Sequence, residues 1–281
     1  MKTGLLLEGG GMRGLYTAGI LDVFMENNIK IDGIIGVSAG ALFGMNYKSK
    51  QKGRVLRYNK KYAKNRDYMG FYSLLTTGNI MNEDFCFNRI VNELDPVDFE
   101  TYRNSPIEFY AVVTNVETGK PEYIKLDDLE NKESLEYLRA SGSMPFVSKP
   151  VIISNKKYLD GGISDSIPIE KIMSMGYDKI IVILTRPAGY QKKKSNSMLP
   201  KIYYKQYPKF VETIENRYKK YNEEVEKVEE LEKQGKVFLI RPSKLIKIKR
   251  VEKDCNKIQE MYDLGQKDAI DNLEKLKQYL D

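Results

Sequence analysis

The chain has 281 residues, of which 41% are hydrophobic and 30% charged, a composition that suits a soluble globular protein with one large domain or two modest ones. It has a formal net charge of +7, two cysteines and no histidine, so neither a disulfide framework nor a zinc site is expected. No run of about 18 apolar residues could span a membrane, and the apolar start ends at Glu8, too early for a signal peptide.

The first part of the chain predicts two strand–helix units. Thr3–Leu7 is a short apolar strand, and Arg13–Asn27 then has the apolar spacing of a helix. A second, β-branched strand, Ile31–Val37, runs into a helix of small and apolar residues, Ala39–Tyr47. Only Ser38 separates this second strand from its helix.

A strongly basic segment follows the second unit. From Lys48 to Arg66 there are nine basic residues and no acid, with tyrosines between them. Such a segment can meet the phosphates of lipid head groups or nucleic acids, and we expect peripheral contact with an anionic membrane surface. The alternative is a solvated helix face, because charge runs are common on helices.

The middle of the chain continues to alternate strands and helices. Ile107–Asn115 predicts a strong strand, with Glu122–Leu126 pairing beside it after a turn. The later predicted elements are a helix at Asp128–Ala140, strands at Val151–Ile153 and Lys157–Leu159, a helix at Pro168–Met175 and a strand at Lys179–Leu184. This alternation indicates the α/β class, with a mainly parallel sheet covered on both faces.

Composition changes after Pro187, and we place a boundary there. Residues 1–187 are predicted to form a core, and residues 188–281 a mostly helical extension that packs on it. In the extension, Lys205–Lys233 and Asp254–Leu280 are predicted helices. No residue of the extension stands out as catalytic.

The turn after the second strand contains a motif that is typical of a nucleophilic serine. Residues 36–40, Gly-Val-Ser-Ala-Gly, form the Gly-x-Ser-x-Gly nucleophile elbow, in the strand–turn–helix setting that this motif requires. Gly36 and Gly40 leave room for a sharp turn that holds the Ser38 hydroxyl clear of its neighbours. A histidine usually activates such a serine. Because the chain has none, either the motif is accidental or another side chain accepts the proton.

A glycine loop follows the first strand and allows two interpretations. Its residues are Gly9, Gly10, Gly11, Met12, Arg13 and Gly14. The backbone N–H groups of such a loop can form an oxyanion hole, or the glycine spacing can mark a dinucleotide site. The dinucleotide site needs an acid at the end of the second strand, but Asp32 stands at its start and Ser38 at its end. The oxyanion hole is therefore favoured.

A third motif, Asp160-Gly161-Gly162, supplies a candidate proton acceptor. Asp-Gly alone is an ordinary turn pair. A carboxylate within hydrogen-bond reach can nevertheless take a serine proton directly, and burial would raise its pKa towards a useful range.

Taken together and in this order, the three glycine motifs resemble those of the patatin-like phospholipase family, over residues 2–186. The segment Arg139–Phe146 is similar to a further block of that family. One departure is Ser166, where many relatives have asparagine.

The resemblance implies a fold, an activity and a set of roles. The fold would be a three-layer α/β/α sandwich, and the activity hydrolysis of lipid acyl esters without metal or cofactor. Ser38 would be the nucleophile, Asp160 its only catalytic partner, and the glycine loop the oxyanion hole. We expect a lipid ester as substrate, no nucleic-acid partner, and a cytoplasmic protein that also contacts the membrane surface. The alternative is a catalytically silent scaffold that binds lipid or protein.

Overall fold

The computed structural model describes all residues, Met1–Asp281, in eight strands and ten α-helices. The strands are β1 Thr3–Leu7, β2 Gly33–Val37, β3 Glu108–Asn115, β4 Pro121–Lys125, β5 Val151–Ile153, β6 Lys156–Asp160, β7 Lys179–Ile183 and β8 Phe238–Ile240. The helices are α1 Leu15–Glu26, α2 Ala39–Lys48, α3 Arg54–Tyr62, α4 Phe71–Thr77, α5 Phe99–Asn104, α6 Lys132–Ser141, α7 Ile169–Met173, α8 Leu199–Tyr203, α9 Pro208–Lys233 and α10 Cys255–Leu280. A π-helical segment, Phe85–Leu94, lies between α4 and α5. None of the helices combines the length and apolarity that crossing a bilayer requires.

The eight strands form one sheet in the order β5-β6-β3-β2-β1-β7-β8, with β4 also paired to β3. From β3 to β8 along this order all neighbours are parallel. On the other side, β4 and β6 run antiparallel to β3, and β5 runs antiparallel to β6. The predicted mainly parallel sheet is confirmed. Because parallel strands end at the same edge, the segments that follow β1 and β2 meet there.

The central strands are buried on both faces, and their side chains alternate between two cores. In β1, Leu5 and Leu7 pack into one core and Leu6 into the other. Helices α1, α2 and α10 contribute to the first core, and α7 and α9 to the second. The predicted three-layer α/β/α sandwich is therefore confirmed.

The C-terminal segment takes part in all three layers. β8 extends the sheet beside β7, while α9 and α10 cover opposite faces. Helix α10 crosses α1 at two glycines: a Cβ on Gly19 would lie under 3.0 Å from the carbonyl oxygen of Tyr262, and one on Gly265 equally near that of Tyr16. The Tyr16 hydroxyl also donates to Asp268 at 3.0 Å. The close backbone approach at this crossing fixes α10 against α1.

The basic segment that starts at Lys48 is only partly exposed. Arg54 is 2% exposed and donates to the backbone carbonyl of Asp95 at 2.9 Å, while Arg57 pairs with the carboxylate of Asp95 at 2.8 Å. Lys48 is also buried, 4.3 Å from the centroid of the Tyr102 ring. Lys48 and Arg54 serve the packing of the fold and cannot contact a lipid surface.

Candidate active site

Ser38 occupies the one-residue turn between β2 and α2, at the carboxyl edge of the sheet. Its φ of 54° is a left-handed conformation that residues other than glycine rarely adopt. A Cβ on Gly36 or Gly40 would lie under 3.0 Å from neighbouring backbone atoms, so the turn is possible only with glycine at both positions. The backbone N–H of Ser38 donates to the hydroxyl of Ser141 at 2.9 Å. The surrounding packing and this bond hold the strained turn in place.

Asp160 ends β6, and strand register brings it beside Ser38. Val37 pairs with Val112 of β3, and the next residue of β3, Val113, pairs with Asp160. The Ser38 hydroxyl donates to Oδ2 of Asp160 at 2.7 Å, although 122 residues separate the two in sequence. The structure thus places both predicted catalytic side chains in direct contact.

The carboxylate of Asp160 is held by its own turn. Its Oδ1 accepts from the backbone N–H of Gly162 at 2.8 Å, and a Cβ on Gly161 would lie under 3.0 Å from a β3 carbonyl oxygen. Asp160 is 5% exposed, and this burial raises its pKa. The positive charge of Arg217 and the hydrogen bond from Ser38 offset the rise only in part. A carboxylate with a raised pKa accepts a serine proton more readily than an ordinary one.

The glycine loop lies next to Ser38, after β1. Three of its backbone N–H groups have no acceptor in the protein, those of Gly9, Gly10 and Gly11. By contrast, the N–H of Met12 donates to the carbonyl of Arg250 at 3.1 Å, and that of Arg13 donates to a carbonyl within the loop at 3.4 Å. Gly14 packs against the ring of Phe43 in α2. The N–H groups of Met12 and Arg13 are therefore used in hydrogen bonds within the protein. Those of Gly9, Gly10 and Gly11 are free to donate to a ligand.

Ser38 lies where two cavities of different character meet. The apolar cavity has 18 hydrophobic residues among the 24 that line it, and its walls include Leu42, Phe43, Met69, Ile90, Leu138 and Val251. The cationic cavity has 8 hydrophobic residues among 27, and its six cationic side chains are Arg13, Arg186, Lys192, Lys193, Arg217 and Arg250. Four residues line both cavities: Gly11, Ser38, Met144 and Arg250. The serine hydroxyl is accordingly accessible from an apolar and from a polar side.

Several residues of this site were not predicted from the sequence. Ser141, which accepts from the elbow, lies in the segment Arg139–Phe146, and that resemblance was the only signal that could have found it. Arg217 of α9 and Arg250 before α10 come from the C-terminal segment, where no motif marks them. A buried arginine has no sequence signature that separates it from a surface arginine.

Ser166 and Asp32 have structural roles. The hydroxyl of Ser166 donates to the carbonyl of Gly162 at 2.7 Å and so braces the turn that carries Asp160. The carboxylate of Asp32 accepts from the backbone N–H of Thr3 at 2.7 Å, at the amino end of β2. Asp32 therefore lies at the end of the strand opposite to the glycine loop, which does not favour a dinucleotide site.

Comparison with known proteins gives two matches to family models. A model described as patatin-like phospholipase matches residues 5–173, and one described as a domain of unknown function, DUF6363, matches residues 207–281.

Individual relatives match this chain at low sequence identity. The chain is 30% identical over 193 residues to the uncharacterized protein YjjU of Escherichia coli, covering 66% of this chain and 53% of that protein. It is 29% identical over 195 residues to lysophospholipase nte1 of Aspergillus fumigatus, covering 64% of this chain and 12% of that protein. The chain thus spans about half the length of the bacterial relative and a small part of the fungal one. The crystal structure of VipD from Legionella pneumophila has a TM-score of 0.48 and 13% identity, covering 98% of this chain and 67% of that one.

Proposed function

Because residues 5–173 match its family model, the chain belongs to the patatin-like phospholipase family, and we propose that it hydrolyses acyl esters of lipids. The observation that carries this proposal is the 2.7 Å hydrogen bond from Ser38 to Asp160 at the junction of the two cavities. A lipid ester has matching parts: an acyl chain for the apolar cavity, a carbonyl for the serine, and a polar remainder. The name lysophospholipase that the fungal relative carries supports the same substrate class.

In the acylation step, Oγ of Ser38 attacks the ester carbonyl carbon while its proton passes to Oδ2 of Asp160. The free N–H groups of Gly10 and Gly11 stabilise the negative charge that develops on the carbonyl oxygen. The tetrahedral intermediate then expels the alcohol, which takes the proton from Asp160. The product of this step is an acyl group esterified to Ser38.

In the deacylation step, water repeats the attack. Asp160 accepts a proton from the water as its oxygen bonds to the acyl carbon, and the same loop amides stabilise the second oxyanion. Collapse of this intermediate releases the fatty acid and returns the proton to Ser38. The raised pKa of Asp160 suits this alternation, because the carboxyl group must both accept and return a proton.

Covalent labelling tests the proposed nucleophile. We expect a fluorophosphonate probe to form one adduct, located at Ser38 by peptide mass spectrometry, because the probe phosphonylates only an activated serine. The Ser143→Ala variant is a matched control, since the hydroxyl donates to the carbonyl of Arg139, and the backbone carbonyl that accepts from the N–H of Asp160 is unchanged in alanine. It should label like the parent protein. A folded parent protein without an adduct at Ser38 would instead be the catalytically silent scaffold.

We also propose that the protein contacts a membrane through α4 and α8. Helix α4 exposes Phe71 and Leu75, which are 71% and 69% accessible, and α8 exposes Ile202 at 64%. Both helices lie beside the segment 144–149 at the cavities: the N–H of Ile80, just after α4, donates to a carbonyl of this segment at 2.7 Å, and an α8 ring packs on its one phenylalanine. Exposed apolar side chains grouped around a cavity are typical of a lipid-binding surface.

Vesicle sedimentation tests this surface. The double variant Leu75→Gln, Ile202→Gln should bind anionic vesicles at least about tenfold more weakly than the parent, since burying one such side chain contributes about 1.5–3 kcal/mol. The net charge of +7 predicts stronger binding of the parent to anionic than to neutral vesicles. The control is Ile270→Gln, an equally exposed position on α10 outside both cavities. Equal, weak binding of the parent to both vesicle types would contradict the proposed contact.

A further inference from the structure

The cationic cavity carries more positive charge than ester hydrolysis uses. None of its six cationic side chains forms a salt bridge with an acidic residue of the protein. Three acidic residues also line the cavity, and each has another partner: the Ser38 hydroxyl for Asp160, the Tyr221 hydroxyl for Glu8 and Lys201 for Glu215. The carboxylates of Glu8 and Asp160 therefore offset only part of the charge of the six cations.

Two arginines in the cavity have buried nitrogens without hydrogen-bond partners. Nε of Arg13, on the glycine loop, and Nε of Arg217, on α9, are both closed to solvent and unpaired. Burial lowers the pKa of Arg13 to about 10, with the charge of Arg186 adding to the effect. Burial, and then the charge of Arg217, also lower the pKa of Lys192. Partly buried cations with unpaired nitrogens and like-charged neighbours destabilise a fold, so this arrangement points to an anionic ligand.

Two of the four aromatic rings that line the cavity, Tyr190 and Tyr221, are poorly suited to a choline-type head group. A quaternary ammonium group binds over open aromatic faces. Here Lys192 Nζ lies 4.0 Å from the centroid of the Tyr221 ring, and Arg186 Cζ lies 4.2 Å from that of Tyr190. Cations of the protein already cover one face of each ring, and a further positive charge would be repelled. An anion without an attached amine fits this cavity best.

The position of the nucleophile connects this anion to the substrate. Ser38 and Arg250 line both cavities, so a single lipid could place its acyl chain in one and its head group in the other. We propose that the cationic cavity binds the phosphate monoester of the lipid, and that the preferred substrates are acylglycerol phosphates. Guanidinium groups suit this ligand, because their paired N–H groups match phosphate oxygens. This inference rests on the proposed function.

Hydrolysis of three lipids with one oleoyl chain tests the preference: oleoylglycerol phosphate, oleoyl glycerophosphocholine and monooleoylglycerol. We expect kcat/KM of the parent protein to be at least about tenfold higher for the phosphate lipid than for the choline lipid, as one charge-assisted hydrogen bond can supply this difference. Arg217→Met should reduce the ratio by about tenfold, and Arg217→Lys should reduce it less. Lys219→Met, on the exposed side of the same helix, should leave it unchanged. A parent ratio of one or below would overturn the proposal.

The ratio separates head-group binding from an effect on the dyad. The charge of Arg217 also favours the ionised form of Asp160, so its loss changes the rate on every lipid. The dyad is the same for all three substrates, and only the head group differs. If Arg217→Met lowers kcat/KM equally for all three lipids and leaves the ratio unchanged, Arg217 acts only through Asp160. That result would overturn its role in phosphate binding.

Binding to the Ser38→Ala protein gives a readout without catalysis. We expect oleoylglycerol phosphate to raise the Tm of this variant more than the choline lipid or inorganic phosphate does. If it does so while the parent hydrolyses none of the lipids, the proposed function fails and the phosphate site stands. If inorganic phosphate stabilises the variant as strongly as the phosphate lipid, the cavity is a site for free phosphate and the substrate proposal fails.

Discussion

The Ser38→Ala protein is expected to lose esterase activity by on the order of 10⁴–10⁶-fold, the scale seen when a serine hydrolase loses its nucleophile. The physical reason is that no other hydroxyl donates to the Asp160 carboxylate. The measurement is hydrolysis of a short-chain nitrophenyl ester, which needs no membrane surface. Alanine removes one oxygen and leaves the turn between β2 and α2 in place, so the variant should remain folded.

The control is again Ser143→Ala, because this residue contacts the dyad only through its backbone carbonyl, which alanine keeps. It should keep the activity of the parent within a few fold, and circular dichroism should show the same fold for both variants. Parental activity in the Ser38→Ala protein would rule out the proposed mechanism.

The Asp160→Asn protein should lose activity by roughly 10²–10⁴-fold, the contribution of a general base. Asparagine has nearly the same shape and can keep both contacts: its oxygen accepts from Gly162, and its amide donates to Ser38. It cannot accept the serine proton. For the parent protein, the acidic limb of kcat/KM should lie above the usual aspartate range, because burial raises the pKa of Asp160, and no histidine titration should appear.

The same substitution should stabilise the fold at neutral pH. Folding raises the pKa of Asp160, so the protonated carboxyl group favours the folded state at low pH. This contribution is lost as the pH rises through the folded-state pKa, because the carboxyl group then becomes charged while it is still buried. Asparagine carries no charge at any pH. The Tm difference should therefore favour the variant at neutral pH, by roughly 2–4 °C for each kcal/mol gained, and disappear in strong acid.

Asp268→Asn is the matched control for this second prediction. Asp268 is 3% exposed and accepts from Tyr16 and from both the backbone and the hydroxyl of Ser243. An amide cannot accept all three, so this variant should be less stable than the parent while its dyad is unchanged. A lower Tm for Asp160→Asn at neutral pH would contradict the assigned effect of burial.

The elements with a clear local pattern were predicted closely. β1 and β5 begin and end at the predicted residues, because each is a short apolar run bounded by breaking residues. By contrast, the region between residues 49 and 106 gave no pattern beyond a basic helix face. Its helix α3 buries Arg54 together with two tyrosines, so the face that packs on the protein includes a charged side chain. Periodicity cannot reveal a helix that buries polar groups, because their partners lie on other elements.

The sequence by itself determined the local chemistry of the candidate site. The turn that carries Ser38 has no room for a Cβ at Gly36 or Gly40. Because this requirement involves only a few consecutive residues, it can be recognised as a motif in the sequence. The absence of histidine excluded the usual triad on composition alone. The glycine loop likewise carries its free donors on its own backbone.

Only the tertiary structure decided what surrounds Ser38. The pairing of β3 with β6 places Asp160 at its hydroxyl, and the folding of α9 onto the sheet brings Arg217 to the same cavity. Burial, which raises the pKa of Asp160 and leaves Nε of Arg217 unpaired, depends on many segments at once. Contacts between residues far apart in sequence are selected by packing and strand register, which leave no pattern in any single stretch of the chain.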